Sequence, residues 1–462
     1  MMECPLSEIA RTTSGRLHGS DGLCRGVSID SRTLVPGQLF VALGGHRADG
    51  HDFAAPALAG GAGGVLIAER AGLRLEPAVV VPDPLRALGE LARAWRRRLR
   101  APVAAITGSN GKTTVKEMLV TILKTRGRVL ATAGNYNNQI GLPLTLLNGE
   151  EAPDFAVLEL GTSRPGEIAW LGTLAKPDLA LVTNAQAAHL EGLGTIEAVA
   201  REKGSLYETL APGGVAILPE EDPQAAGWRR RIGTRGLVSF GWERGDFHFA
   251  TPPRWRREEG CWEGLLSTPE GRYPFTLHLI GRHNLVNALA ATAAAAVWKI
   301  PPEESLAALG RFRGVSHRLE LRPGPGESRI LDDAYNANPH SLLAGIESAL
   351  SLGMPVWLAL GELAELGPAG AEWHGRLGGE ARRLGVDRVY ATGALMQSFV
   401  QAFGPAGGRW FADADSLVRI LMQDLAGQAV LVLVKGSHSA RMERVAEALS
   451  RPPGRGDARL AH

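Results

Sequence analysis

Short apolar runs alternate with helix-like stretches through the middle of the chain. Between about residues 102 and 312 this pattern predicts strands at 102–106, 155–160, 179–183, 215–218 and 237–240. Strands buried on both faces are apolar throughout, and helices connect such strands in a parallel sheet. The pattern therefore predicts a doubly wound α/β sheet, followed by an alanine-rich helix from Gly281 to Trp298.

A second alternating series begins near Gly314, and a smaller unit precedes residue 101. The second series predicts strands at 330–332, 356–360, 388–391 and 430–434. The smaller unit has strand-like runs at 37–43 and 79–81, with a helical segment in the first half of 54–64. We therefore expect an α/β protein of three domains: a small N-terminal α/β domain over 1–100, a central doubly wound domain over 101–313 and a Rossmann-like C-terminal domain over 314–462.

Composition narrows the class of protein. The 462 residues suit about three domains, and the formal charge of +2 gives no reason to expect nucleic acid or an anionic membrane as a partner. Arginine clusters at 96–100, 228–231 and 254–257 indicate solvated faces, although Trp interleaved with Arg leaves a small case for nucleic acid. No apolar run has membrane-spanning length, and three scattered cysteines imply neither a disulfide framework nor a zinc site. We expect a soluble, cytoplasmic protein without membrane insertion.

Residues 107–114, Thr-Gly-Ser-Asn-Gly-Lys-Thr-Thr, join the first central strand to a helix-like stretch. A strand, a glycine turn and a helix N-terminus present several backbone N–H groups and a partial positive charge to one anion. Lys112 would reach the outer phosphates of a nucleotide, and Thr113 would hold a magnesium ion. The first glycine is Gly108, so the segment is shorter than the common phosphate loop. An ordinary strand-to-helix turn is the alternative.

Glu159 and His189 follow predicted strands, where parallel sheets bind their ligands. Chemistry on Mg-ATP needs oxygen ligands for the metal ions. Thr113 and Glu159 would provide such ligands for one ion, and His189 would help to hold a second. Taken alone, His189 would be a structural histidine and Lys203 a solvated helix lysine. Polar stretches at 28–32 and 44–53 flank a strand and suit either an anionic ligand or a solvated loop.

Several further motifs occur along the chain. They lie at 134–141, at 159–161 with 165–168, and at 188–192, 281–284, 332–339 and 435–437. With these motifs and the short loop, the sequence resembles the Mur ligase family, the ATP-dependent amino-acid ligases of peptidoglycan precursor synthesis. The resemblance spans nearly the whole chain. It implies an N-terminal UDP-sugar-binding domain, a central phosphate-loop ATPase-like domain and a C-terminal domain that closes over ATP and the incoming amine. It also implies ATP and Mg²⁺ as cofactors.

The resemblance implies roles for individual residues. Nucleotide binding would involve Gly108, Asn110, Gly111, Lys112, Thr113, Thr114, Asn284, Arg318, Asp333, Tyr335 and Asn336. Within that set Asn284 would contact adenine, Arg318 the phosphates and Asp333 the ribose. The metal ligands would be Thr113, Glu159, His189 and a carbamylated Lys203, and the catalytic residues Lys112, Lys203 and His189. Substrate contacts would come from Ser31, Arg32, Arg47, Asn138, Lys435 and Ser437.

Residues outside the shared ATP machinery distinguish the members of the family. The motif at 165–168, and 361–367 with His374, resemble the member that joins D-Ala-D-Ala to UDP-MurNAc-tripeptide through an acyl phosphate. The Asp-Asn-Pro-Arg signature expected of the diaminopimelate-adding member is not found. Glu362 stands where Asp is usual, and Ser316-His317 replaces the usual Pro-Gly. We expect a monomer that acts on these two small molecules, with lysine or a diamino acid as the third residue of the tripeptide.

Other functions stay open at this point. Another ligase of the same family would differ in the N-terminal pocket and around Lys435. A phosphate-loop NTPase switch or a nucleic-acid motor is disfavoured by the near-neutral charge and by the second α/β series with Asp333 and Asn336. A purely structural role would leave the loop, Glu159 and Asn284 unexplained.

Overall fold

The structure is a computed structural model that describes residues 1–45, 48–149 and 152–450. The first unit contains strands β1 (Glu3–Pro5), β2 (Arg16–His18), β3 (Leu23–Arg25), β4 (Val27–Ser28), β5 (Leu39–Val41), β6 (Gly64–Ala68) and β7 (Ala78–Val81). Its helices are α1 (Leu6–Thr12), α2 (Ala54–Ala59) and α3 (Pro84–Arg96). The sheet runs β2-β7-β6-β5-β4, and β1 pairs with β3 beside it.

The central unit has the predicted parallel sheet. Its strands are β8 (Val103–Thr107), β9 (Val129–Ala131), β10 (Phe155–Glu159), β11 (Leu179–Val182), β12 (Val215–Pro219) and β13 (Gly236–Phe240). They lie in the order β13-β12-β11-β8-β10-β9, and every pair is parallel. The helices of this part are α4 (Lys112–Leu123), α5 (Gly141–Asn148), α6 (Glu167–Ala175), α7 (Leu190–Leu193), α8 (Ile196–Gly204) and α9 (Ala225–Ile232).

Strand β8 shows why the strands of this sheet are continuous apolar runs in the sequence. Val103 and Ala105 pack into one hydrophobic cluster, whereas Ala104 and Ile106 pack into a second. Successive side chains of a strand point to opposite faces, so both faces of the sheet are covered. The carboxyl ends of the strands are therefore the edge at which a ligand can reach the sheet.

A three-stranded antiparallel sheet follows the central strands. It consists of β14 (His248–Arg256), β15 (Cys261–Thr268) and β16 (Gly271–Leu277). Residues along β14 and β16 alternate between more and less exposed positions, so one face is left to water. Such strands lack a continuous apolar run, and the sequence pattern did not predict them. Helices α10 (Arg282–Val297) and α11 (Pro302–Arg311) then complete this part of the chain.

The C-terminal unit is a second α/β sheet. Its strands are β17 (Glu320–Pro323), β18 (Arg329–Asp332), β19 (Val356–Leu360), β20 (Arg388–Thr392), β21 (Gly408–Phe411) and β22 (Leu431–Lys435). Its helices are α12 (Pro339–Ser351), α13 (Gly370–Arg383), α14 (Met396–Phe403), α15 (Ala414–Asp424) and α16 (Glu443–Ser450). The order is β17-β18-β22-β19-β20-β21, with only the edge strand β17 antiparallel among these described strands.

The α/β fold class is confirmed. The predicted strands of the central and C-terminal series appear with their ends displaced by at most one residue. In the first unit the strand expected at 37–43 is shorter, at 39–41, and a helix occupies 54–59 as predicted. Within the described ranges, no helix combines the length and apolar character needed to cross a membrane.

Candidate active site

A cavity of about 1050 Å³ lies between the central sheet and the C-terminal unit. Its wall includes Lys112, Glu159 and His189 from the central unit and Tyr335 and Lys435 from the C-terminal unit. Residues at or just after the carboxyl ends of β8, β10 and β11 line this cavity, namely Ser109, Glu159 and Thr183. The sequence-predicted residues of two separate units therefore meet in one place.

The glycine turn after β8 is closely packed. Gly108 has φ +149°, and a Cβ there would lie 1.8 Å from Thr183 Oγ1. Gly111 has φ +82°, and a Cβ there would lie 2.5 Å from Asn287 Oδ1. Only glycine fits both positions, because both the backbone angle and the neighbouring atoms exclude a side chain. The turn thereby places the N-terminus of α4 at the cavity wall.

Lys112 is the first residue of α4 and folds back over the turn. Its Nζ donates hydrogen bonds to the carbonyl oxygens of Gly108 at 2.8 Å and Ser109 at 3.3 Å. Burial lowers the pKa of Lys112, and the Glu159 carboxylate opposes that shift. A half-buried ammonium group beside a helix N-terminus favours an anionic ligand such as phosphate.

Thr113 and Glu159 form an oxygen-rich group beside Lys112. The Thr113 hydroxyl donates to Glu159 Oε2 at 2.8 Å and accepts from Arg318 Nη2 at 3.0 Å. Asn137 Nδ2 donates to the other oxygen, Glu159 Oε1, at 2.8 Å. Carboxylate and hydroxyl oxygens suit Mg²⁺. Within the described chain no three His, Cys, Asp or Glu side chains are grouped as a metal site, so a cation here would also need ligands from bound phosphates or from Lys203.

Lys203 is a buried residue of α8, and its interpretation as a solvated helix lysine is wrong. Its side chain is 0% exposed, and its Nζ makes no hydrogen bond to the residues that the structure describes. Burial, with a smaller contribution from the Lys112 cation, lowers the pKa of Lys203 well below that of a free lysine. Neighbouring Glu202 instead accepts backbone hydrogen bonds from Gly166 and Ile168, both at 2.7 Å. Nothing in the local sequence indicates this burial.

His189 is not an isolated structural histidine. It lies at the cavity just before α7, and its Nδ1 bonds to the carboxylate of Glu365 from the C-terminal unit. Glu365 was not predicted as a site residue, although it lies inside the motif at 361–367. Asn137 was also missed, although it lies inside the motif at 134–141.

The C-terminal residues form a polar wall opposite the glycine turn. Lys435 Nζ lies 2.6 Å from Asp333 Oδ2 and donates to the Asn336 carbonyl oxygen at 2.9 Å. The Arg318 guanidinium carbon lies 4.3 Å from the centre of the Tyr335 ring. The same guanidinium donates from Nη2 to Thr113 Oγ1 at 3.0 Å, just after the glycine turn.

The remaining predicted residues divide into three groups. The cavity wall also contains Asn110, Gly111, Thr113, Thr114, Asn138, Asn284, Asp333, Asn336 and Ser437. The cavity-lining part of the described chain does not include Gly108, Ser31, Arg32 or Lys203. The exposed Arg32 instead pairs with Asp30 at 2.6 Å, and this pairing lowers the pKa of Asp30 to about 2. Arg47 lies outside the described residues.

The side chain of Asn138 has a local structural partner. Its Oδ1 accepts hydrogen bonds from the backbone N–H groups of Ile140 at 3.1 Å and Gly141 at 2.9 Å. It therefore stabilises the turn before α5 while lining the cavity. Asn284 likewise donates to the Ile280 carbonyl at 2.8 Å and accepts from Asn287 at 3.0 Å, which fixes its side chain at the start of α10.

Comparisons with family models and with curated proteins show which family the chain belongs to. Residues 24–96 match the Mur ligase family catalytic domain, 106–295 the Mur ligase middle domain and 317–438 the Mur ligase glutamate ligase domain. The chain is 40% identical to UDP-N-acetylmuramoyl-tripeptide–D-alanyl-D-alanine ligase of Escherichia coli (strain K12), over 97% of this chain and 99% of the relative. The chain belongs to the Mur ligase family.

Solved structures of Mur ligases have the same three-domain architecture. A MurF crystal structure from Acinetobacter baumannii matches with a TM-score of 0.90 at 29% identity, covering 97% of this chain and 99% of that one. The MurF ligase of Thermotoga maritima in complex with ADP matches with a TM-score of 0.81 at 29% identity, covering 92% and 97%. A close relative in fold therefore binds an adenine nucleotide.

Proposed function

We propose that this Mur ligase joins D-Ala-D-Ala to the terminal carboxylate of UDP-MurNAc-tripeptide, consuming ATP in peptidoglycan precursor synthesis. The observation that carries the proposal is the 40% identity, over 97% of the chain, to the Escherichia coli enzyme of that name. The cavity supports it, because the phosphate-loop residues and the C-terminal polar residues line one space. The products are UDP-MurNAc-pentapeptide, ADP and phosphate.

The reaction needs activation of a carboxylate, since its oxygen is a poor leaving group towards an amine. The tripeptide carboxylate attacks the γ-phosphorus of ATP and becomes an acyl phosphate as ADP leaves. The amine of D-Ala-D-Ala then attacks the acyl carbon, and phosphate leaves as the amide forms. Lys112 and the backbone N–H groups of the glycine turn stabilise negative charge in both steps. Closing of the C-terminal unit over the cavity keeps water from the acyl phosphate.

Magnesium is the cation that the site suits. Thr113 and Glu159 supply hydroxyl and carboxylate oxygens 2.8 Å apart, and His189 faces the same cavity. When bound, Mg²⁺ neutralises phosphate charge during phosphoryl transfer. Arg318 already donates to Thr113 at 3.0 Å and would lie beside the same phosphates.

Lys203 fits a carbamylated lysine. Its amine is buried, has no hydrogen-bond partner among the described residues, and has a pKa that burial lowers well below that of a free lysine. Such an amine can add through its nitrogen to the carbon of CO₂, with loss of one proton. The resulting carbamate would turn an orphaned amine into an anionic oxygen ligand for a metal ion. A Lys203→Ala variant should lose activity and regain part of it with short carboxylates. Full activity of Lys203→Ala would contradict the carbamate.

The other residues of the site are proposed to contact the substrates. Gly108, Asn110, Gly111 and Thr114 bind the ATP phosphates, Asn284 adenine, Asp333 the ribose, and Tyr335 with Asn336 the nucleotide from the C-terminal side. The UDP-sugar side is assigned to Ser31, Arg32 and Arg47, and Asn138 is assigned to a substrate contact. Lys435 and Ser437 are assigned to D-Ala-D-Ala. Lys435 would first have to loosen its bond to Asp333, which is 2.6 Å long.

The organisation of the chain is proposed to follow the three units. Domain boundaries at 1–100, 101–313 and 314–462 agree with the connections between α3 and β8 and between α11 and β17. A monomer in the cytoplasm is the proposed working form, since UDP-linked precursors and ATP are cytoplasmic metabolites.

Phosphate release from Mg-ATP tests the function directly. Purified protein would receive UDP-MurNAc-tripeptide with D-Ala-D-Ala, and separately UDP-MurNAc-dipeptide with a diamino acid. We expect release only with the first pair, together with a pentapeptide product by mass. Release only with the second pair would assign the protein to the neighbouring ligase, and release with neither pair would favour a nucleotide switch.

A further inference from the structure

His189 and Glu365 meet across the cavity from two different units of the chain. His189 Nδ1 bonds to Glu365 Oε2, and the backbone N–H of Glu191 donates to the Glu365 carbonyl oxygen at 3.0 Å. Both side chains line the cavity. One side-chain bond and one backbone bond therefore join the same two segments.

The backbone of both residues is left-handed. His189 has φ +56° and Glu365 has φ +62°. For residues other than glycine this conformation costs roughly 1–2 kcal/mol of conformational free energy. Such residues are found where surrounding contacts maintain them, and they cluster at functional sites. Two left-handed residues in direct contact indicate that the two segments have complementary conformations.

The segment that carries Glu365 is fixed within the C-terminal unit. The backbone N–H of Leu363 donates to His374 Nε2 at 3.1 Å, and Ser437 Oγ donates to the Glu362 carbonyl oxygen at 2.6 Å. His374 is itself fully buried and donates from Nδ1 to Gly370. Glu365 therefore moves with the C-terminal unit rather than as a free loop.

We propose that Glu365 is a positioning residue that holds the His189 ring when the C-terminal unit closes on the cavity. The Glu365 carboxylate accepts a hydrogen bond from Nδ1–H, and this leaves Nε2 as the unprotonated nitrogen, with a lone pair available to a metal ion. A second group that accepts the far N–H of a ligating histidine fixes both its tautomer and its orientation. The site on the central unit is then complete only in the closed arrangement. This proposal rests on the proposed function.

A double-mutant cycle on the full chain tests the pairing. Glu365→Ala should lower kcat for ligation by about 10-fold to 100-fold, as loss of such a partner does elsewhere. In a His189→Ala background the same change should alter kcat by less than about twofold, because the oriented group is gone. Equal losses in both backgrounds would overturn the proposal. Glu365→Gln keeps an oxygen that accepts from Nδ1 and should retain kcat within about threefold.

A binding measurement gives a readout that does not depend on turnover. Mn²⁺ would be titrated by electron paramagnetic resonance in the presence of a non-hydrolysable ATP analogue. Glu365→Ala should raise the Kd of Mn²⁺ by about 10-fold. The matched control is Glu372→Ala, which removes an exposed carboxylate of the same unit that is paired with Arg376 on α13. An unchanged Kd in Glu365→Ala would overturn the proposal.

Failure of this inference differs from failure of the proposed function. A wild-type protein that forms pentapeptide, but in which the two substitutions act independently, retains the function and excludes the pairing. A wild-type protein that forms no amide with either substrate pair overturns the function and, with it, the role proposed for Glu365.

Discussion

Asn110 and Asn338 exchange hydrogen bonds across the cavity. Asn338 Nδ2 donates to Asn110 Oδ1 at 2.7 Å, and Asn110 Nδ2 donates to Asn338 Oδ1 at 3.3 Å. Asn110 belongs to the glycine turn, and Asn338 is the N-cap of α12, where its Oδ1 accepts from the Ser341 N–H at 2.9 Å. One side chain thus caps a C-terminal helix and touches the proposed phosphate site.

Substitution of Asn338 should separate these two contributions. Asn338→Ser keeps a capping oxygen but loses the amide donor to Asn110. The KM for ATP should therefore rise by about fivefold, which corresponds to the free energy of roughly one hydrogen bond. The free energy of unfolding should stay unchanged, because the helix cap is kept. Asn338→Ala should show the same rise and also lose about 1 kcal/mol of unfolding free energy. Steady-state kinetics and urea unfolding measure the two effects. Wild-type KM in Asn338→Ser would show that the contact does not support nucleotide binding.

Gly108→Ala should abolish nucleotide binding. The new Cβ would lie 1.8 Å from Thr183 Oγ1, and Thr183 also donates to the Asn110 carbonyl at 2.6 Å, so the turn would have to move. Gly213→Ala is the control, because Gly213 has φ +77° but no atom within 4 Å of the added Cβ. Fluorescence titration with an ADP analogue should show binding lost only in the first variant. Retained binding in Gly108→Ala would mean that the turn tolerates a side chain.

His317→Gly should lower stability even though the backbone there favours glycine. His317 has φ +60°, and its Nδ1 contacts the fully buried Asp332 carboxylate at 2.9 Å. Glycine removes about 1–2 kcal/mol of left-handed strain. The substitution leaves Arg322, at 3.1 Å, as the charged partner of Asp332. A buried carboxylate that lacks a hydrogen-bond partner lowers the free energy of unfolding by about 1–3 kcal/mol or more.

The matched variant for this position is His317→Asn. Asparagine tolerates a left-handed backbone and supplies an N–H donor, so its unfolding free energy should lie between those of the wild type and His317→Gly. Urea unfolding orders the three proteins. A His317→Gly protein more stable than the wild type would show that backbone strain outweighs the bond to Asp332.

His374 should make stability fall as the medium becomes acidic. Burial lowers the pKa of His374 from its usual 6.5, so the unfolded chain binds a proton more readily than the folded chain. Its contribution is fully present above about pH 6.5 and is lost as the pH falls towards the folded pKa, with a slope of at most about 1.4 kcal/mol per pH unit.

His374→Gln removes this titration. Its unfolding free energy should depend less on pH below about 6.5 than that of the wild type, although its stability at pH 8 should be lower because glutamine cannot match both ring contacts. Urea unfolding at several pH values measures this difference. Parallel pH profiles for the two proteins would assign the acid sensitivity to other groups.

The sequence by itself determined most of the two large sheets and the proposed phosphate site. Parallel strands such as β8 and β19 are covered on both faces, so their sequences are uninterrupted runs of mostly apolar residues. The turn from Gly108 to Lys112 was also predictable, because strand, glycines and helix start are neighbours in the chain. The antiparallel strands β14–β16 were not predicted, because a sheet with one solvent-exposed face has no uninterrupted apolar runs in its strands.

Tertiary structure decided which residues meet. Lys203 follows a polar stretch of α8 and became buried only because that side of the helix packs inside the protein. Glu365 lies 176 positions from His189, and Asn338 lies 228 positions from Asn110. The spacing of residues along a helix or strand indicates the face they occupy, but contacts between units depend on how whole elements pack. The positions of these side chains were therefore settled by the assembled fold.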